Sequence, residues 1–253
     1  MKYLYLSFIF TTLLACTDRK NKTPELSSVK EKKAPTVEVL IVRQIEGNLS
    51  IPATEDYSYT IYSEELNGDD SLDYIVTVNR LDFALNKAIE KGNTAQRAEM
   101  GYIGKYNFIF YMDGASKKIT QAIPVPSSPH GILEVSFENI KTEAYKDILV
   151  DFKIRNSKFR RYFSVTNKIP LQTFETLIFD GLGTDNNTAY HIEYGSGSYS
   201  LSKDILVYKA DLEDIEFKHP NDIYSANPKI SSTGELERLW FFNDYQNKYF
   251  TQK

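Results

Sequence analysis

The stretch Glu64 to Val78 reads EELNGDDSLDYIVTV: acidic and amide side chains crowd residues 65–73, and an apolar run follows at once. Oxygen-bearing side chains packed this densely suit two outcomes. One is a loop that holds a divalent cation; the other is a tight polar turn whose side chains satisfy backbone donors. Other candidates for chemistry are sparse. The three histidines, His130, His191 and His219, are scattered, without the i, i+4 pairing of a helical metal site. No phosphate-cradling glycine loop and no nucleophile elbow occurs. The carboxylate pairs Asp69 with Asp73, Asp180 with Asp185, and Glu213 with Asp214 have the right types for acid–base catalysis. Turns of an acidic chain produce such pairs routinely, so they read as solvated turns. The basic cluster RNSKFRRYF, residues 155–163, reads as a hairpin tip with a solvated face. Nothing here assigns a reaction.

The N-terminus is more specific. MKYLYLSFIFTTLLAC places one lysine before an apolar run too short to span a bilayer, which takes about 20 residues. The run has the proportions of a signal peptide over residues 1–15. Its end, Leu13-Leu14-Ala15-Cys16, resembles a bacterial lipobox, which implies cleavage before Cys16 and lipidation of that cysteine. Cys16 is also the only cysteine, so the fold does not rely on an internal disulfide. Several acyl chains, at about 0.8 kcal/mol per buried CH2, make attachment effectively permanent where one chain does not. The expectation is an exported protein of the cell envelope, held to the membrane by a lipid anchor on its periplasmic or surface face.

Residues 16–35 read as the lipidated terminus and a flexible tether: TDRKNKTPELSSVKEKKAP has no apolar periodicity, two prolines and many polar residues. Residues 17–35 carry six basic and three acidic side chains. With a formal charge of −4 for the whole chain and Lys2 counted apart, residues 36–253 carry −8. That acidity, with no basic stripe interleaved with aromatics, argues against a nucleic-acid partner.

Residues 36–253 must supply the elements that position any site. They are rich in tyrosine and phenylalanine, which suit pleated, half-buried surfaces. Strand-like segments recur at 37–42, 57–63, 73–78, 106–112, 132–138, 147–154, 160–165, 173–179, 190–194, 204–210 and 236–242, many alternating apolar with polar. The spacing therefore predicts a single, mainly β domain of antiparallel sheets. One short helix interrupts it near 80–91, where Leu81, Leu85 and Ile89 fall on one face, Asn79 is placed to cap and Gly92-Asn93 to stop it. A pattern also repeats: an alternating strand, a polar turn, then aspartate opening an aliphatic strand. YTIYSEELNGDDSLDYIVTV, LEVSFENIKTEAYKDILVDF and HIEYGSGSYSLSKDILVYKA share it, with Asp73, Asp147 and Asp204 in equivalent places. Three degenerate units follow as an expectation.

The first of these loops resembles the loop of FG-GAP or VCBS-type repeats, D-x-N-G-D-G-x-x-D before an aliphatic strand. Asn67, Gly68, Asp69 and Asp73 match; Glu65 stands for the first aspartate and Asp70 for the second glycine. The resemblance implies a small or incomplete β-propeller-like array, with a β-sandwich as the alternative. It also implies Ca2+ as the cofactor, held by Glu65, Asn67, Asp69, Asp73 and the carbonyl of Ser71. Asp70 would then take the φ > 0 conformation that glycine reaches freely, at about 1 kcal/mol. At the second and third loops the corresponding places hold Asn139, Lys141, Glu143 and Tyr145, and then Ser196, Ser198, Ser200 and Ser202. Only the first retains enough carboxylates for a cation.

Together these readings predict a non-enzymatic envelope lipoprotein that binds or scaffolds a protein or glycan partner. The alternatives are a hydrolase of envelope polysaccharide using loop carboxylates, and an inhibitor of an envelope-attacking hydrolase.

Overall fold

In a computed structural model of the chain, residues 35–92 and 103–251 are described, and Thr36–Lys253 form one unit. The signal peptide, Cys16 and the tether lie outside the described residues. The unit begins with helix α1 (Val37–Leu49), not with the strand expected at 37–42. Thr36 caps it, its hydroxyl accepting from the Val39 N–H, and Ile41 and Ile45, four apart, are its buried face. The valine-rich start suits a strand locally, but the apolar residues continue at helical spacing to Leu49 and a helix buries them on one side.

Strands β1 (Ser58–Glu64), β2 (Asp73–Asn79), β3 (Asn107–Met112) and β4 (Ile123–Pro124) form one antiparallel sheet in chain order. Helix α2 (Leu81–Glu90) leaves β2. Its buried face is Ala84 and Ala88, and Ile89 is exposed; Asn79 accepts the Leu81 N–H at 3.1 Å. A second antiparallel sheet contains β5 (Glu134–Glu138), β6 (Asp147–Ile154), β7 (Ser157–Thr166), β8 (Ile169–Asp180), β9 (Thr188–Gly195), β10 (Asp204–Leu212), β11 (Ile230–Asn243) and β12 (Lys248–Phe250), again in chain order. Mainly β structure in antiparallel sheets, with a short helix after the second strand, is what the alternation predicts.

The second sheet is nearly two. β8 and β9 share only the pairs Phe179 with Ala189 and Asp180 with Thr188, whereas β7 and β8 pair along almost their whole length. The strands thus group as β1–β4, β5–β8 and β9–β12. Alternation along β6 shows how the groups pack. Ile148, Val150 and Phe152 join Ile75, Ile109 and Tyr111 of the first group in one core. Leu149 and Tyr162 point the other way, into a second core with Ile205, Val207, Trp240 and Tyr249 of the third group. On its far side the first group is covered by α1, through Ile41 and Ile45 against Val76, Val78, Phe110 and Met112. The order is helix, then three four-stranded units face to face.

Candidate functional site

The three aspartates singled out in the sequence occupy one structural position. Asp73 pairs with Glu64, Asp147 with Glu138 and Asp204 with Gly195, so each first hairpin of a unit is closed by a loop of eight residues, 65–72, 139–146 and 196–203. Each aspartate is almost fully buried and takes a hydrogen bond from the residue six positions earlier. Asp204 Oδ2 accepts the Ser198 N–H at 2.9 Å. Asp147 Oδ2 accepts the Lys141 N–H at 2.6 Å and the Ile140 N–H at 3.3 Å, and its Oδ1 accepts the Ser164 hydroxyl. Asp73 Oδ1 takes the Asn67 amide at 3.4 Å and the Gly114 N–H at 2.7 Å. Burial pushes the Asp73 and Asp147 carboxyls up, against the pull of these donors. The loops also hold one another: Lys146 N donates to Glu65 O at 3.1 Å, and Lys203 N to Ile140 O at 2.8 Å.

In the first loop Gly68 and Asp70 both take the left-handed conformation, at φ 75° and 59°, as the spacing requires. The side chains expected to hold Ca2+ are arranged as follows. Asn67 turns its Nδ2 toward the acids, at 3.2 Å from Asp69 Oδ2, 3.4 Å from Asp73 Oδ1, 3.3 Å from Asp113 Oδ1 and 3.0 Å from the Tyr111 hydroxyl. Asp69 Oδ1 accepts the Ser71 N–H and Glu65 Oε1 the Asp70 N–H. A cation is already supplied by the chain. Lys168 Nζ lies 2.8 Å from Asp113 Oδ1 and 3.6 Å from Asp69 Oδ2. It is delivered by a two-residue turn in which Asn167 and Lys168 are both left-handed, between β7 and β8. Among the described residues no three His, Cys, Asp or Glu side chains group as metal ligands. These residues, so arranged, fit an ammonium and an amide rather than Ca2+. Burial raises the Asp113 carboxyl, but hydrogen bonds from Lys168 and Ser116 outweigh it and hold the carboxyl at about 2.

The remaining sequence candidates are spread apart. His191 faces Glu193 at 3.3 Å, His219 opens a short 3-10 turn, Pro220–Tyr224, and His130 sits before β5. Asp180 takes the Ser157 hydroxyl, and Glu213 the Lys229 N–H at 3.0 Å. The basic cluster does begin at a hairpin tip, the turn Arg155-Asn156 between β6 and β7, but Lys158, Arg160 and Arg161 are not a solvated face: they are a row of cross-strand partners. Arg160 holds Asp151 in a fork at 2.6 and 2.9 Å, Arg161 holds Glu175 at 2.6 Å and Lys158 holds Glu134 at 2.7 Å.

One site has no sequence signal. Where β8 and β9 part, a groove of about 310 Å³ opens, lined by Glu175, Thr176 and Leu177 of β8, Tyr190 of β9, Val207 of β10, and Glu237, Arg238 and Trp240 of β11. Trp240, the only tryptophan, is set by the edge of Phe174 at 4.9 Å and overlain by the Arg238 guanidinium at 5.7 Å. Its residues come from four strands and 66 positions of chain, Glu175 to Trp240, so no local pattern could have found it. Compared with known proteins, the chain matches no family model, no curated protein and no solved structure.

Proposed function

We propose that the protein is a lipid-anchored, non-enzymatic binding module of the bacterial cell envelope, and that its ligand is a glycan taken up in the Trp240 groove. The groove is the observation that carries this reading. Its volume of about 310 Å³ is at the small end of ligand sites, which run from about 300 to 1,000 Å³. Its aromatic floor, Trp240 and Tyr190, offers flat apolar surface to the C–H face of a sugar ring. Glu175, Glu237 and Arg238 on its rim offer acceptors and a donor for the hydroxyls. The anchor rests on the lipobox resemblance at Cys16, and the degenerate FG-GAP-like loops, with their shared length, are most simply explained as copies of one unit.

A second reading, the polysaccharide hydrolase, draws on Glu175 and Glu237 lining one groove. Paired carboxylates beside a bound sugar are the requirement for that chemistry. Glu175 is committed to Arg161 at 2.6 Å, which favours binding over catalysis.

Fractionation and retention test the two halves of the proposal separately. Cys16→Ser moves the protein from membranes to the soluble fraction and leaves retention on isolated envelope polysaccharide intact. Trp240→Ala stays with the membrane and loses retention. Membrane attachment of Cys16→Ser contradicts the anchor, undiminished retention of Trp240→Ala contradicts the groove, and release of reducing ends from the polysaccharide establishes the hydrolase instead.

A further inference from the structure

A second cavity, of about 220 Å³, lies away from the groove, and its contents are charged. One wall is the turn His130–Ile132 with Glu134 of β5, the floor is Asp151 to Lys153 of β6 with Lys158 of β7, and the other wall is Tyr224, Ser225 and Asn227. That last wall belongs to the long connection 213–229 between β10 and β11. The connection is pinned across the cavity by Asn227 Nδ2, which donates to Glu134 Oε1 at 3.2 Å, and by Lys153 Nζ, which donates to the Ala226 carbonyl. Phe217, Ile223 and Ala226 of the connection also pack against Ile178, Phe179 and Leu182, so apolar and polar contacts together fix the wall.

The lining holds two carboxylates, Glu134 and Asp151, and two lysines, Lys153 and Lys158; Arg160, outside the lining, takes Asp151 and so leaves one lysine in excess. Asp151 is saturated by the Arg160 fork at 2.6 and 2.9 Å, with Lys158 at 3.5 Å. Glu134 takes Lys158 at 2.7 Å and the Asn227 amide. Two carboxylates are therefore matched by Lys158 and Arg160, and Lys153 is left over. Its ammonium makes no ion pair among the described residues, and a backbone carbonyl accepts only one of its three N–H groups. Beside it, His130 has a buried Nε2 with no hydrogen-bond partner. The polar capacity left in this cavity is that of a cation and an imidazole, with both carboxylates used up.

We propose that this cavity binds a small monoanionic carboxylate, which completes the coordination of Lys153. One surplus positive charge calls for one negative charge. The small volume calls for a compact molecule rather than a polymer, and the committed carboxylates leave Lys153 as the group that recognises it. This site is independent of the Trp240 groove, which shares no residue with it.

Lys153 also makes the site sensitive to pH in a defined direction. Burial, then the neighbouring Lys158 charge, bring its amine down to about 8, and Glu134 opposes them only in part. The other titratable groups lining the cavity are Asp151, paired with Arg160, and His130 and Tyr224. Burial pushes the His130 imidazole down, so it stays neutral while Lys153 titrates. Binding is strongest below pH 8 and, with the charged fraction of an amine at about 8, about tenfold weaker at pH 9 than at pH 7.

The test is an NMR titration of the full chain with acetate, and separately with inorganic phosphate. Saturable acetate shifts are expected for amides in 130–134, 152–154 and 224–227, with about tenfold weaker binding at pH 9 than at pH 7. Lys153→Met should abolish the shifts while leaving the rest of the spectrum in place. If that variant does not fold, the pH dependence of the wild-type protein decides alone. Non-saturating shifts, shifts unchanged by pH or by Lys153→Met, or phosphate binding more tightly than acetate would each overturn the proposal.

Discussion

Asp73, Asp147 and Asp204 do similar work three times: a buried carboxylate accepts from the residue six positions earlier in an eight-residue loop, through the backbone N–H of Lys141 and Ser198 and through the side-chain amide of Asn67, and Asp73 also takes the Gly114 N–H. Truncating one strands those donors. Asp147→Ala should lower stability in urea by about 1–3 kcal/mol, the penalty of leaving a buried polar group unpaired. This position was readable in the sequence because each aspartate stands directly before an aliphatic run. Lys168 was not readable: it lies far along the chain from Asp69, in a turn that shows no partner until β7 and β8 fold back. Its pairing with Asp113 has a defined pH signature. The Asp113 carboxyl sits at about 2 in the folded chain against 3.8 ordinarily, so the stabilisation is complete above 3.8 and is lost as pH falls toward 2. The stability difference between wild type and Lys168→Met should therefore be constant near neutrality and shrink between pH 4 and 2. A difference that persists at pH 2 would mean that the ion pair is not its source. Because the ammonium already faces these acids, calorimetric titration of the wild-type protein with Ca2+ should give no binding heat.

At the scale of elements, the close approach of loop to turn makes two glycines indispensable. A Cβ on Gly114 would stand 1.9 Å from the Leu72 carbonyl oxygen, and one on Gly197 would stand 2.2 Å from that of Ser202. Both contacts are with backbone of the eight-residue loops, which has little room to move. Gly114→Ala and Gly197→Ala should each destabilise by about 1–3 kcal/mol. Gly47, inside α1, has nothing within 4 Å of an added Cβ, and Gly47→Ala should stabilise by about 0.5–1 kcal/mol. Urea midpoints measure all three, and equal effects would contradict the packing described. Helix α1 also marks the limit of local reading. Its first six residues, VEVLIV, are apolar and β-branched as a buried strand's are, and only Thr36 behind and Ile45 and Leu49 ahead give the helix away. Other strands were legible either because one buried face imposes alternation or, as in β2, β3 and β6, because both faces are buried and the run is almost continuously apolar. The two shortest, β4 and β12, were not, since two or three residues carry no period.

At the scale of the whole molecule, three four-stranded units and a covering helix create the groove, because the third unit pairs with the second by two residue pairs and then diverges. The groove's chemistry depends on that divergence, which no stretch of sequence announces: Glu175, Tyr190 and Trp240 look like ordinary strand residues until their strands part. The anchoring expectation belongs to this scale too, since a tethered body meets envelope glycans at high local concentration. The central claim is that a glycan stacks on Trp240, and the chain provides its own reporter, because this is its only tryptophan. Titrating the full chain with envelope polysaccharide fragments while recording tryptophan emission should give a saturable change in intensity or wavelength. Emission that stays flat, while the same fragments are retained by the protein in a binding assay, would place the ligand elsewhere and contradict the account.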